Sequence, residues 1–193
     1  MTESMDPYLY PGTNVLKNLR DIRSPGILAC FEAEATTRRI VELIHSPAQG
    51  QFDTTHLRAI HKRIFQDVYE WAGQFRTVNI SKDGHLFGAA GFIEGALRDV
   101  FQKLFRESYL RELDRESFSD RAGFFLGEIN AAHPFREGNG RAQREFIREL
   151  ALQAGFATDW SRITSDQMIT ASRLSFQTGN SSGLTALITS SMT

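Results

Sequence analysis

The chain has 193 residues, 41% hydrophobic and 23% charged, which is enough apolar content for one packed core and excludes a disordered or collagen-like polymer. Twenty-two basic against 23 acidic residues leave a formal charge of −1, so no global positive field would hold the chain on nucleic acid or anionic lipid, and no direct nucleic-acid partner is expected. The single Cys30 excludes an intramolecular disulfide and a cysteine-based metal site. No apolar run approaches the ~20 residues of a membrane span, and the acidic start Met1–Asp6 lacks the basic and apolar regions of a signal peptide, so a cytoplasmic protein without a membrane partner is expected.

Residues 1–25 hold three of the five prolines and little periodicity, which predicts an irregular arm with at most one short helix. Ile27, Leu28, Phe31, Ala35, Val41 and Ile44 are then spaced for a helix that Pro47 and Gly50 end. Asp53 is placed to cap a second helix, whose stripe Leu57, Ile60, Ile64, Val68 and Trp71 runs to Gly73. Between Phe75 and Phe87 the period shortens to about two around Asp83-Gly84, predicting a β-hairpin over 75–88.

Helical spacing returns with Phe92, Ile93, Ala96, Val100, Phe101, Leu104 and Phe105, and again from Ser117 with Ala122, Phe125, Leu126 and Ile129. A further helix holds Phe146, Ile147, Leu150 and Ala154 and stops at Gly155. Thr164 and Gln167 form a capping box for a later helix, and Leu184, Leu187 and Ile188 mark a short terminal one. The expectation is an all-α domain over 1–193 with one short hairpin. Trp71, Phe101, Phe105 and Phe125 are assigned to its core by spacing, and Cys30 is read as a small buried apolar residue. His56 and His61, five apart, do not share a helix face and suggest no metal site.

The unusual segment is residues 130–144, a polar, Gly-interrupted loop between two apolar helices. Gly138 and Gly140 flank Asn139 and are open to left-handed backbone, so successive N–H groups could converge on an anion. Arg141 and Arg144 fall in the first turn of the following helix, where its dipole disfavours positive charge, which suggests that a polyphosphate completes the site. Glu137 would repel phosphate unless a cation lay between them, and Mg²⁺ is commonly held by one carboxylate, phosphate oxygens and water. His133, just ahead of the loop, has the side-chain chemistry of a general base near neutral pH. Taken alone, His133 could be a helix cap and the arginines solvated charges; their clustering with Gly-Asn-Gly points to phosphoryl or nucleotidyl transfer.

His133-Pro134-Phe135-Arg136-Glu137-Gly138-Asn139-Gly140-Arg141-Ala142-Gln143-Arg144 resembles, at every defining position, the Fic family signature His-x-Phe-x-Asp/Glu-Gly-Asn-Gly-Arg-x-x-Arg. Asp6-Pro-Tyr, Val68-Tyr-Glu-Trp71-Ala-Gly73, Ile93-Glu94 and Gly179-Asn180-Ser are similar to the bacterial FicT group. The resemblance implies the Fic fold and transfer of AMP from ATP, with Mg²⁺, to a hydroxyl side chain of another protein. It implies His133 as base and Glu137 as metal ligand. It further implies Gly138, Asn139, Gly140 and Arg141 around the phosphates, Arg144 at the γ-phosphate, and Phe135 as the loop's anchor. The flap Ile80, Ser81, Lys82, Asp83, Gly84, His85, Leu86 and Phe87 would pair by backbone with the target.

Fic enzymes are commonly restrained by a helix bearing Ser/Thr-x-x-x-Glu-Gly/Asn. Glu94-Gly95 follows Ala90 where that pattern needs Ser or Thr, and no Glu follows Glu149, so no such brake is visible in these residues. The resemblance then implies a toxin restrained by a small antitoxin that supplies the Glu in trans, with the ATPase subunits of DNA gyrase and topoisomerase IV as targets. Alternatives are transfer of another phosphate-containing group, such as UMP, phosphocholine or phosphate, or a catalytically weak nucleotide-binding module.

Overall fold

A computed structural model describes residues 6–82 and 85–193. Besides three single-turn 3-10 helices, seven α-helices and a two-stranded hairpin make up the regular structure among them: α1 (Pro25–His45), α2 (Thr54–Phe65), β1 (Ser81–Lys82), β2 (His85–Leu86), α3 (Ile93–Arg106), α4 (Arg115–Ala132), α5 (Asn139–Gln153), α6 (Ser165–Thr178) and α7 (Ser182–Ser191). The strands pair antiparallel, Ser81 with Leu86 and Lys82 with His85.

Local chemistry explains where the helices start. Pro25 opens α1, where its missing N–H costs nothing. The Asp53 carboxylate accepts the His56 N–H at 2.8 Å to cap α2, and Asp114 does the same for Ser117 at the head of α4. Thr164 and Gln167 satisfy each other's backbone in the expected capping box of α6. The core then forms where apolar stripes meet. α4 packs on α3, α5, α6 and α7, while α5 also packs on α2, which carries α1. Ala142, Phe146, Ile147 and Leu150 of α5 share one buried core, from which water is excluded, with Leu57, Ile60 and Ile64 of α2 and Phe125 and Ile129 of α4. Gly123 lets α4 and α7 approach closely, because a Cβ there would lie 2.5 Å from Thr185 Oγ1.

The stretch 6–24 is irregular as expected, a series of turns without a helix, closed by a Leu9–Leu16 bridge. Several other expectations need correction. α2 ends at Phe65, eight residues before Gly73, because the chain folds back along the helix: Arg58 Nε donates to the Gly73 carbonyl and the Gly73 N–H donates to His61 Nδ1. The hairpin is only two residues per strand. Residues 75–80 are irregular because Arg76 turns inward and its N–H donates to the Pro134 carbonyl. Phe105 is 64% exposed; left-handed backbone at Ser108, Tyr109 and Leu110 delivers Leu110 to the core and leaves Phe105 edge-on to Tyr109. Trp71 is half-buried, and Cys30 lies on the exposed face of α1. No described helix is long and apolar enough to cross a membrane.

Candidate active site

α4 ends at His133, whose backbone is left-handed (φ 43°, ψ 61°) and whose N–H closes the last turn on the Ile129 carbonyl at 3.1 Å. Its ring lies flat against Phe87 at the end of the flap, with centroids 3.8 Å apart and planes 17° apart. Arg76 bolts these pieces together. Its guanidinium donates to the carbonyls of His133 at 2.8 Å, Val78 at 2.7 Å and Ala132 at 3.2 Å, and to that of Gly88. It therefore satisfies the open C-terminal carbonyls of α4, where a cation is favoured, while holding both bases of the flap. Burial pushes its pKa down from the ordinary arginine value.

Beyond His133 the loop is closed from inside. Phe135 is fully buried and stacks on His61 of α2 at 3.8 Å. Asn139 accepts the Phe135 N–H through Oδ1 and donates Nδ2–H to the Phe135 carbonyl, both at 2.8 Å, so its side chain staples the loop shut instead of pointing into the cleft. Gly138 has φ +79°, and a Cβ there would meet the Phe65 ring at 2.1 Å; only glycine satisfies both demands. Gly140 is not left-handed as expected. α5 already begins at Asn139, so Gly140 is a helical residue of its first turn, and the left-handed element of the loop is Gly138 alone among these two.

The charged side chains divide. Glu137 is half-exposed; its Oε1 accepts the Gly138 N–H at 2.8 Å and lies 3.6 Å from Arg141. Arg141 reaches toward α1, donating to Glu32 at 2.6 Å and to Thr36 Oγ1 at 3.2 Å, with its guanidinium over the Phe65 ring. Glu32 also accepts the Tyr69 hydroxyl. Arg144 instead lines the cleft, and among the described residues no carboxylate lies within ion-pair distance of it. Burial, then the neighbouring Arg141, lower its pKa from the ordinary arginine value. Arg136, at the edge of the cleft, pairs with Asp6 of the N-terminal arm, with Nη2 at 2.8 Å.

These elements enclose a cleft of about 360 Å³. Its polar side is the loop from Arg136 to Gly140 with His133 and Arg144; Leu126, Met168, Ile169 and Phe176 form its apolar side, and Ile80, Ser81 and Phe87 of the flap its rim. Of the flap residues named from the sequence, Asp83 and Gly84 lie outside the described residues, and Lys82 and His85 are placed only as a strand pair. Asp6, Glu32, His61, Phe65, Tyr69 and Arg76 were not found by sequence reasoning as parts of the site. Each acts through a partner dozens of positions away or within a stripe that reads as core. The Asp6-Pro-Tyr resemblance was the one available signal.

The geometry is that of a helical protein with a histidine and an arginine at separate points of one anion-seeking cleft. The Fic/DOC family pattern matches residues 51–151, just over half of the chain, and the chain belongs to that family. It is 45% identical over 190 residues to "Protein adenylyltransferase VbhT" of Bartonella schoenbuchensis, a match covering 98% of this chain and 40% of that protein's length. It is 40% identical over 172 residues to "Probable protein adenylyltransferase y4lH" of Sinorhizobium fredii, covering 89% and 88% of the two chains. The fold superimposes on the BepC protein of Bartonella tribocorum, solved with bound AMPPNP, with a TM-score of 0.91 and 30% identity over 96% of both chains.

Proposed function

We propose that the chain is a protein adenylyltransferase that moves AMP from ATP to a hydroxyl side chain of a target protein and releases pyrophosphate. The observation that carries this reading is the division of the cleft: an imidazole at the rim beside the flap, a glycine-led helix N-terminus in the middle, and further along an arginine that has no carboxylate partner among the described residues. His133 takes the proton of the target hydroxyl while that oxygen attacks the α-phosphorus and the bond to the pyrophosphate oxygen breaks. Gly138 and the first turn of α5 face the phosphates, and Arg144 takes the γ-phosphate. Arg141 meets the β-phosphate side only as far as Glu32 and Thr36 release it. Asn139 serves the phosphates indirectly, by holding the loop closed. The apolar side of the cleft, at Met168, Ile169 and Phe176, suits the adenosine moiety.

The residues fit a magnesium ion. Glu137 presents a half-exposed carboxylate to the phosphate side of the cleft, with Oε1 on the Gly138 N–H and no described hydrogen-bond partner on its other oxygen. Mg²⁺ would neutralise phosphate charge as the bond breaks. The target strand docks along Ile80–Phe87.

A groove of about 240 Å³ beside Arg144, lined by Ile40, Arg141, Trp160, Ile163 and Met168, suits the inhibitory helix of an antitoxin whose Glu pairs with Arg144. The reading is of a cytoplasmic toxin whose targets are the ATPase subunits of gyrase and topoisomerase IV. The test is to incubate such a subunit with the chain, Mg²⁺ and ATP labelled at either the α- or the γ-phosphate. Adenylyl transfer moves the α-label alone. Transfer of the γ-label would replace the reading with a kinase, and transfer from UTP in preference to ATP with a uridylyltransferase.

A further inference from the structure

Beneath the catalytic loop, on the side away from the cleft, His61 of α2 is completely buried, and both of its ring nitrogens are committed. The Gly73 N–H can only donate, so His61 Nδ1, 2.9 Å away, is the unprotonated acceptor. The Glu137 carbonyl can only accept, so His61 Nε2, 3.0 Å away, carries the proton. The ring is clamped between Phe135 at 3.8 Å and Phe65 at 4.6 Å, which fixes the direction of that N–H.

The bonded carbonyl belongs to the peptide linking Glu137 to Gly138. The N–H of the same peptide donates to Glu137 Oε1. This plane is therefore held at both ends, by His61 from below and by the Glu137 carboxylate from the cleft side. It adjoins Gly138, which lacks the Cβ that would restrict rotation. If the peptide rotated, the carbonyl would turn toward the phosphates and repel them, and Glu137 would lose the bond that orients its carboxylate.

We propose that His61 is a positioning residue that locks the Glu137–Gly138 peptide with its N–H toward the cleft and its carbonyl away from it, and so presents the Glu137 carboxylate and the phosphate-facing backbone together. This rests on the adenylyl-transfer reading for its consequence, though the lock itself is a property of the chain without nucleotide. Neither ring nitrogen touches substrate; His61 acts through the loop.

Two substitutions separate its bonds. His61→Gln keeps an N–H near the position of Nε2 and gives up the Gly73 contact, whereas His61→Asn keeps an acceptor near Nδ1 and stops short of Glu137. The full chain is compared by amide hydrogen exchange over residues 137–141, by calorimetric affinity for a non-hydrolysable ATP analogue with Mg²⁺, and by thermal unfolding. His61→Asn should raise exchange in the loop and weaken nucleotide affinity by about tenfold or more, with His61→Gln within about threefold of wild type. A residue that merely fills the core would make both changes track the melting temperature in the two variants alike. Equal damage in Gln and Asn, or an undamaged Asn variant, would overturn the proposal. Wild-type ¹⁵N shifts of His61 give an arm that needs no variant: a protonated Nε2 with an acceptor Nδ1 is expected, and a protonated Nδ1 would overturn the lock. If the wild type binds no nucleotide, the functional reading falls, while the exchange and ¹⁵N results still decide the role of His61.

Discussion

At Gly138 two independent constraints meet, a left-handed backbone and the Phe65 ring where a side chain would begin. Gly138→Ala should lower stability by at least ~2 kcal/mol, about 1–2 from the left-handed conformation and the rest from displacing Phe65. Urea denaturation measures it, and an unchanged midpoint would show that the loop tolerates a Cβ. His61 makes a second prediction, for pH. Burial lowers its pKa from the ordinary 6.5 to about 3 in the folded chain. Between those values the unfolded chain binds a proton that the folded chain refuses, so stability must fall as pH drops through about 6.5 and the loss must level off near 3. The slope from this group is roughly 1.4 kcal/mol per pH unit. His61→Gln should flatten the stability profile over that window, and an equally steep profile would assign the slope elsewhere. The glycine was readable from Gly-Asn-Gly, because few residues can take that backbone. His61 was not, since it falls beside Ile60 and Ile64 and nothing in its neighbours tells that its partners are Gly73 and Glu137.

Elements were predicted well where their signals are local. The capping box of α6 and the Asp53 cap of α2 concern residues within one turn of each other, and both stand as the spacing suggested. The extent of the hairpin and the end of α2 were misjudged because Arg76 and Gly73 are placed by tertiary hydrogen bonds that override local periodicity. The charged start of α5 tells the same story: Arg141 finds Glu32, 109 positions earlier, while Arg144 stays in the cleft. Arg76 is where elements are joined. Arg76→Leu would strand carbonyls at the end of α4 and at both bases of the flap, each costing about 1–3 kcal/mol if left buried without a donor. The expected result is a chain destabilised by several kcal/mol on this basis, with protease cleavage appearing first near residues 78–90. Arg76→Lys should recover only part of the loss, because an ammonium cannot reproduce the planar fork. Uniform cleavage along the chain would separate Arg76 from the flap.

For the whole molecule, the all-α architecture followed from helical spacing, and the match to the Fic/DOC family accounts for why one twelve-residue signature located the cleft. The N-terminal arm belongs to the site despite its irregularity, because Asp6 pairs with Arg136 across 130 positions. This pair is partly exposed, so Asp6→Ala should cost only about 1 kcal/mol in chemical denaturation, with increased exchange confined to the arm and residues 134–138. A loss of several kcal/mol would mean that the arm is integral to the core. The central claim is that His133 serves as the base for adenylyl transfer in a cleft that binds ATP independently of it. Its direct test is intact-mass spectrometry of a topoisomerase ATPase subunit after incubation with Mg²⁺, ATP and either the wild-type chain or His133→Ala, with nucleotide affinity measured for both. One AMP added by the wild type, a rate lower by at least ~10²-fold in the variant and an unchanged nucleotide affinity are the predicted result. Equal modification by the two chains would contradict the assignment of the base, and no nucleotide adduct on the subunit or on the chain itself would contradict the reaction.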